Sequence, residues 1–338
     1  MPAEWERHEA TWLSWPVNDV TWPGAKLKEV EEIYARMIGE LLAGEKVNLL
    51  VPDDAHAKKA LSLLPRKAQT QRLIFHEVKY VDSWIRDYGP IFVRDGKRKL
   101  FTKWRFNAWG GKYADLARDN AVPDRIAALK NYRRVDPGII LEGGSIDTNG
   151  RGVCLTTEQC LLNKKRNSRL SATDIERYLK NYLGFQKIIW LKEGIEGDDT
   201  DGHVDDITRF TDARTIVTAL ESNTLDNNHF VLSENLEILK SATDLTGKKF
   251  RIVELPMPGV VSPARKDTPQ HQRLPASYAN FYIGNAAVLV PVYSHRNDKS
   301  ALGIIKRCFP NRRVVGIECT PLVYGMGSIH CVTQQEPL

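Results

Sequence analysis

Four short stretches of the sequence hold side chains whose types and spacing could do chemistry. In "YGMGSIHCVTQQEPL" a glycine-rich turn runs into His330 and Cys331. A thiol placed there can be a nucleophile, a metal ligand, half of a disulfide or a small buried hydrophobe. In "DGHVDD" one residue separates His203 from Asp205, so in an extended segment both side chains share a face. "WIRDYGPIFVRDG" places Asp87 just before Gly89-Pro90, with Trp84 upstream; "LEGGSIDTNG" places Glu142 ahead of two glycines, where backbone can approach another group closely. Each has an ordinary reading alone: a turn-initiating Asp87, a core Trp84, a surface turn at Glu142, a buried Cys331. Together they suit one reaction. A guanidinium is planar and permanently charged, so attack at its carbon requires carboxylates that hold it in plane while a nucleophile approaches its face. Asp87 and Asp205 can supply that fork, Cys331 the thiolate and His203 a proton for departing ammonia.

Such a constellation needs a scaffold. Leu27, Val30, Ile33, Tyr34, Met37, Ile38 and Leu41 follow helical spacing, and "KVNLLVP" after them reads as a buried strand. Ser171 to Asp174 is a capping box opening a helix through Leu183, stopped at Gly184 and followed by the strand "KIIWL". Helix-like Phe230–Leu239 precedes "KFRIVELP", and Ala301–Cys308 precedes "RRVVGIE". Asp95-Gly96 and Asn149-Gly150 carry hairpin chemistry. Four apolar strands, "VNLLV", "GVCLTT", "TIVTAL" and "AAVLVPVY", hint at a repeated αβ unit, although their residues are too dissimilar to prove one. No linker or composition shift marks a domain boundary, which favours one large mixed α/β domain over two.

At 338 residues and 42% hydrophobic, the chain can bury a large core. It contains no run long enough to span a membrane and no secretion-type leader, so a cytoplasmic protein is expected. Five dispersed cysteines without a C-x-x-C pair suggest reduced thiols. The net charge of +6 comes from scattered basic clusters without interleaved aromatics, which argues against nucleic acid as a partner. Glu193 to Asp206, by contrast, holds seven carboxylates and no Lys or Arg, so its partner should be a cation. That acidic stretch could also serve a metal-dependent hydrolase, but no H-E-x-x-H helix or suitably spaced second histidine accompanies it. A non-catalytic guanidine- or polyamine-binding protein is the other alternative.

Seven stretches in this order, "MPAEWERHEATWLSWP", "WIRDYGP", "FNAWGGKY", "LEGGSID", "DTDGHVDD", "RLPASYANFYIGNAAVLVPVY" and "IHCVTQQ", closely resemble the agmatine deiminases of the guanidino-group-modifying superfamily, also described as peptidyl-arginine-deiminase-like proteins. The resemblance implies a five-bladed, pseudo-five-fold α/β propeller of pentein type, a single domain over residues 1–338. It also implies hydrolysis of agmatine to N-carbamoylputrescine and ammonia through a covalent thiouronium on Cys331, without metal or cofactor. In that scheme His203 is the general acid and base, Asp87 and Asp205 bind the guanidinium, and Glu142 orients His203 and helps hold the substrate. Trp84 or Trp109 would pack on the methylene chain, Asp199 would lie near the free amine, and a homo-oligomer is compatible with the scheme. Many relatives have four consecutive glycines where this chain has Gly325, Met326, Gly327 and Ser328, a departure that bears on substrate breadth and rate.

Overall fold

The apolar stripe expected between residues 27 and 41 becomes a helix, Ala25–Leu41, whose Val30, Ile33, Tyr34, Met37, Ile38 and Leu41 are buried. It returns the chain to a strand with every residue after Lys46 buried. This strand–helix–strand crossover recurs along the computed structural model, which describes residues 1–96, 98–262 and 273–338.

Five separate sheets result among the described residues. The first joins β16 (Gln334–Pro337), β1 (His8–Ser14), β2 (Lys46–Val51) and β3 (Leu73–Glu77) in that order. The second is β4 (Ile91–Asp95), β5 (Arg98–Thr102) and β6 (Arg134–Val135); the third is β7 (Asp147–Thr148), β8 (Val153–Thr157) and β9 (Lys187–Leu191). The fourth is β10 (Thr208–Asp212), β11 (Thr215–Leu220) and β12 (Arg251–Pro256), and the fifth is β13 (Tyr282–Ile283), β14 (Ala287–Val292) and β15 (Arg313–Glu318). In each, the middle strand runs antiparallel to its hairpin partner and parallel to the strand reached through a helical crossover. The first sheet obeys the same rule across the chain ends: β1 pairs antiparallel with β16, with Thr11 opposite Gln335, and parallel with β2. Five repeats of one unit, closed by that pairing, make the five-bladed α/β propeller.

Sequence periodicity locates β8, β11 and β14, the middle strands of three blades, but matches them with β2, which is one strand out of phase. The equivalent middle strands are β1 and β5, whose sequences "HEATWLS" and "RKLFT" carry charge that hides the pattern. The helix expected from Phe230 spans Asn227–Ser241, because Asp226 caps it through the Asn228 N–H; Phe230 itself is 74% exposed. The capping box at Ser171 and Asp174 is present, and Gly184 ends that helix at φ 76°. All five cysteines are unpaired. The largest apolar cluster ties β1, β2 and the Ala25–Leu41 helix to β14.

Candidate active site

Each blade supplies one segment to a common point: the residues leading into its hairpin. Asp87 lies ahead of β4, Glu142 to Gly144 ahead of β7, His203 to Asp206 ahead of β10, Asn280 ahead of β13 and Cys331 ahead of β16. Residues far apart in sequence thereby meet, and all are buried.

Local chemistry fixes each segment. Asp87 sits on a single helical turn, Ile85–Tyr88, that Gly89 and Pro90 terminate. Its Oδ1 accepts the Gly144 N–H at 3.0 Å, and its Oδ2 accepts the Trp109 indole N–H at 2.9 Å. Gly144 is the close approach anticipated beside Glu142. A Cβ there would lie 2.6 Å from His203 Nδ1 and 2.9 Å from both Asp87 Oδ1 and Asp205 Oδ2, so only glycine fits among the three. Cys331 Sγ accepts the Asn280 amide N–H at 3.2 Å and stands 4.0 Å from Asp205 Oδ2. The extended backbone expected from the spacing of His203 and Asp205 is absent. Residues 204–206 form a tight helical turn, because the Asp198 carboxylate collects the N–H groups of Thr200, Gly202 and His203 and curls the chain. Their side chains still converge, with His203 Nδ1 at 3.7 Å from Asp87 Oδ1 and 4.0 Å from Asp205 Oδ1.

This interior favours uncharged groups. Burial pushes the Asp87 carboxyl up to about 7 despite the Trp109 hydrogen bond. Burial, then the charge of Asp87, pushes Asp205 well above the usual carboxylate range. Burial, Arg166, Lys112 and His330 hold His203 well below its ordinary value. The Cys331 thiol is pushed well up by burial and then by Asp205, Asp206 and Asp87, so no resting thiolate is favoured. Both ring nitrogens of His203 and the Oδ1 of Asp205 are buried without a hydrogen-bond partner among the described residues. Asp205 Oδ1 and one nitrogen of a neutral His203 ring are therefore free to accept a ligand's N–H groups, and the other ring nitrogen carries an N–H of its own.

Asp87 and Cys331 form part of the wall of a cavity of about 550 Å3 also lined by Trp84, Trp109, Asp199 and Met326. Asp199 also lines the cavity, but its carboxylate is answered by the Tyr113 hydroxyl and by Lys112 Nζ at 3.3 Å. Similar answers run through the acidic stretch. Asp201 binds Arg166 and Lys112, Glu196 binds Arg273, and Asp206 accepts from Asn280. Most of the cation expected opposite Glu193–Asp206 is therefore supplied by the chain itself. Glu142 makes no hydrogen bond to His203; Arg166 Nε lies 2.9 and 3.1 Å from its two oxygens. Glu142 remains close to the ring, with one of its oxygens within 4.8 Å of a His203 nitrogen.

Arg166, Asn280 and His330 escape sequence reasoning. Arg166 sits in a basic run that reads as solvated surface, and Asn280 in a stretch that reads as core; only the fold reveals their partners. His330 had a signal, its place beside Cys331, but nothing in the sequence pairs it with Asp205 and Glu4.

Residues 1–337 match the family described as Porphyromonas-type peptidyl-arginine deiminase. An agmatine deiminase of Medicago truncatula is 35% identical, with 100% of this chain and 96% of that protein covered. The solved agmatine deiminase of Enterococcus faecalis superposes with a TM-score of 0.91 at 31% identity, over 100% of this chain and 95% of that one. A cysteine-to-serine variant of C. jejuni agmatine deiminase with substrate bound gives 0.85 at 33% identity, covering 99% and 95%.

Proposed function

Because the chain belongs to the Porphyromonas-type peptidyl-arginine deiminase family, we propose that it is an agmatine deiminase, hydrolysing agmatine to N-carbamoylputrescine and ammonia with Cys331 as nucleophile. The observation that carries this reading is the buried thiol of Cys331 beside Asp87, with Asp205 Oδ1 and both nitrogens of His203 left without partners among the described residues. A guanidinium suits the acceptors among them. Its N–H groups can be donated to Asp205 Oδ1 and to the one His203 nitrogen that carries no hydrogen, and its charge offsets the carboxylates that keep the thiol protonated.

The chemistry follows from that placement. The thiol proton passes to His203 as Sγ bonds the guanidinium carbon. His203 then gives this proton to one nitrogen, which leaves as ammonia, and a cationic thiouronium remains on Cys331. Water loses a proton to His203 and its oxygen bonds the carbon. The C–S bond breaks, the sulfur recovers a proton from His203, and the hydroxyl proton departs, so ammonium is the net co-product. Trp84 and Trp109 flank the methylene chain, and Asp199 lies towards the amine. Glu142, held by Arg166, keeps a negative charge near His203 when the ring is protonated.

Residues 1–338 act here as one catalytic unit without a metal or other cofactor. The reading includes a cytoplasmic protein, with no nucleic-acid or membrane partner and with room for a homo-oligomer. Among the described residues no helix is long and apolar enough to cross a membrane.

Incubating purified protein with agmatine, arginine or an arginine-containing peptide, and assaying ureido product and ammonia, tests the assignment. Agmatine should be preferred, and Cys331→Ser should lower turnover by at least about a thousandfold. Equal efficiency on arginine sinks the substrate; an active serine variant sinks the covalent route.

A further inference from the structure

His330 lines none of that cavity's wall, yet it is enclosed between two carboxylates. Its Nδ1 lies 2.7 Å from Asp205 Oδ2, and its Nε2 lies 2.8 Å from Glu4 Oε2. Burial, Arg209 and Arg86 disfavour a charged ring, and a neutral imidazole has one N–H and cannot donate to both, so one carboxylate then brings the second proton. Their surroundings say which. Glu4 has Arg86 Nη2 at 3.4 Å and Arg209 Nη2 at 3.0 Å, and it accepts the Ile283 N–H at 2.8 Å. Burial pushes Glu4 up, but Arg209, His330 and Arg86 outweigh it and hold the group well below the usual range. Asp205 has no arginine within ion-pair distance among the described residues, and burial and Asp87 push it up. The surroundings thus favour, in the free protein, His330 Nε2–H donating to Glu4 and a proton on Asp205 Oδ2 donated to Nδ1.

We propose that His330 is the proton acceptor for Asp205: when a guanidinium settles against Asp205, the proton on Oδ2 crosses to Nδ1, leaving a carboxylate beside the substrate and an imidazolium clasped between Asp205 and Glu4. One O–H bond breaks, one N–H bond forms, and the pair keeps its single proton, so none is released to solvent. The inference rests on the guanidine-hydrolase reading above and adds how the site tolerates its own carboxylates between substrates. Two buried carboxylates facing each other without a cation would be costly. Storing a proton on one of them avoids that cost, and a basic neighbour lets the charge appear only when the substrate's charge arrives. His330 acts through Asp205 and is a positioning residue. The charged or titratable groups that touch or act on its ring among the described residues are Glu4 from the N-terminal segment, Arg86 from the Ile85–Tyr88 turn, Arg209 from β10, His203, and Asp205 from the turn before β10. Burial, Arg209 and Arg86 oppose protonation of the ring, and Glu4 favours it. The substrate-driven charge on Asp205 decides the balance.

The substitution His330→Gln separates the two roles. The glutamine carbonyl can accept from the Asp205 acid and its amide can donate to Glu4, but it cannot take the proton. In a Cys331→Ser background, with and without His330→Gln, binding of agmatine and separately of methylguanidinium is measured by titration calorimetry at pH 7 in buffers of different ionisation enthalpy. The expected result is about one more proton released per bound ligand when His330→Gln is present than when His330 is kept, and an affinity that climbs with pH more steeply in the glutamine variant. Equal proton counts and parallel pH profiles overturn the inference. If methylguanidinium shows the difference but agmatine does not bind, the substrate assignment fails and the inference stands. If neither binds, the cation fork it presupposes is absent and it is overturned. A readout that needs no substitution of His330 guards against a variant that fails to fold: the ring-nitrogen NMR shifts of His330 should pass from a neutral Nε2–H tautomer to imidazolium on adding ligand, and an unchanged tautomer overturns the proposal.

Discussion

Trp109 and Asp87 are joined by a hydrogen bond of 2.9 Å from the indole Nε1–H to Oδ2, and the tryptophan reaches it from left-handed backbone at φ 54°. That conformation costs a non-glycine residue about 1–2 kcal/mol. Asn107 holds it by accepting the Gly110 N–H, and Gly110 and Gly111 absorb the rest of the turn. Trp109→Phe keeps the aromatic wall and removes the donor. A hydrogen bond to a charged group is worth about 1.5–3 kcal/mol, so kcat/KM for agmatine should fall by roughly tenfold to a hundredfold. Steady-state kinetics checks this, and an unchanged value would deny the indole any part in holding Asp87.

Asp87 also sets a pH dependence. The free enzyme holds this carboxyl at about 7, and a cation binds the ionised form. Below that value Asp87 becomes a neutral acid, so kcat/KM should fall by about tenfold per pH unit as pH drops, and level off above it. His203, held low by burial, adds no limb near neutrality. Bound guanidinium stabilises the carboxylate, so the acid limb of kcat should lie below that of kcat/KM. A pH–rate profile of both parameters is the measurement.

The loop before Cys331 gives a paired prediction. Met326 lines the cavity at φ 74°, where glycine would be unstrained. Met326→Gly should relieve strain and widen the entrance, so discrimination between agmatine and bulkier guanidines should drop while the fold is retained. Gly327→Ala should do the opposite: its Cβ would lie 2.5 Å from the Trp84 ring and push it. KM should then rise, and the melting temperature should fall as the buried Trp84 ring is displaced.

Asp199, which also lines the cavity, offers a weaker handle than its acidic neighbourhood suggests, because Lys112 already sits beside it. A partly exposed, paired carboxylate is worth about 0–1 kcal/mol. Asp199→Asn should therefore raise KM for agmatine less than about tenfold and leave kcat nearly unchanged, since the tail is held alike in ground and transition states. A larger fall in kcat than in affinity would place Asp199 nearer the reacting atoms.

Much of this was legible in the sequence because glycine, proline and capping residues declare backbone needs locally. Gly144 beside Glu142 and the capped helix at Ser171 are examples. The one-residue spacing of His203 and Asp205 misled about geometry, since the Asp198 carboxylate bends the segment into a turn that period-two alternation does not foresee. The electrostatic partners were illegible for another reason. Arg166 answers Glu142 across 24 positions and Glu4 answers His330 across 326, and no pattern short of the fold brings such residues together.

The antiparallel pairing of β1 with β16 has one more consequence. The same few residues that close the ring follow directly on Cys331, and Glu4 enters the site just ahead of the opposite strand. A chain clipped upstream of residue 331 loses the sulfur and the closing strand together, and one clipped after Glu4 loses the carboxylate that anchors His330. Proteolytic fragments and stalled translation products should therefore be silent rather than partly active. Ammonia release then reports chain integrity from end to end, so the specific activity of a preparation measures its intact fraction.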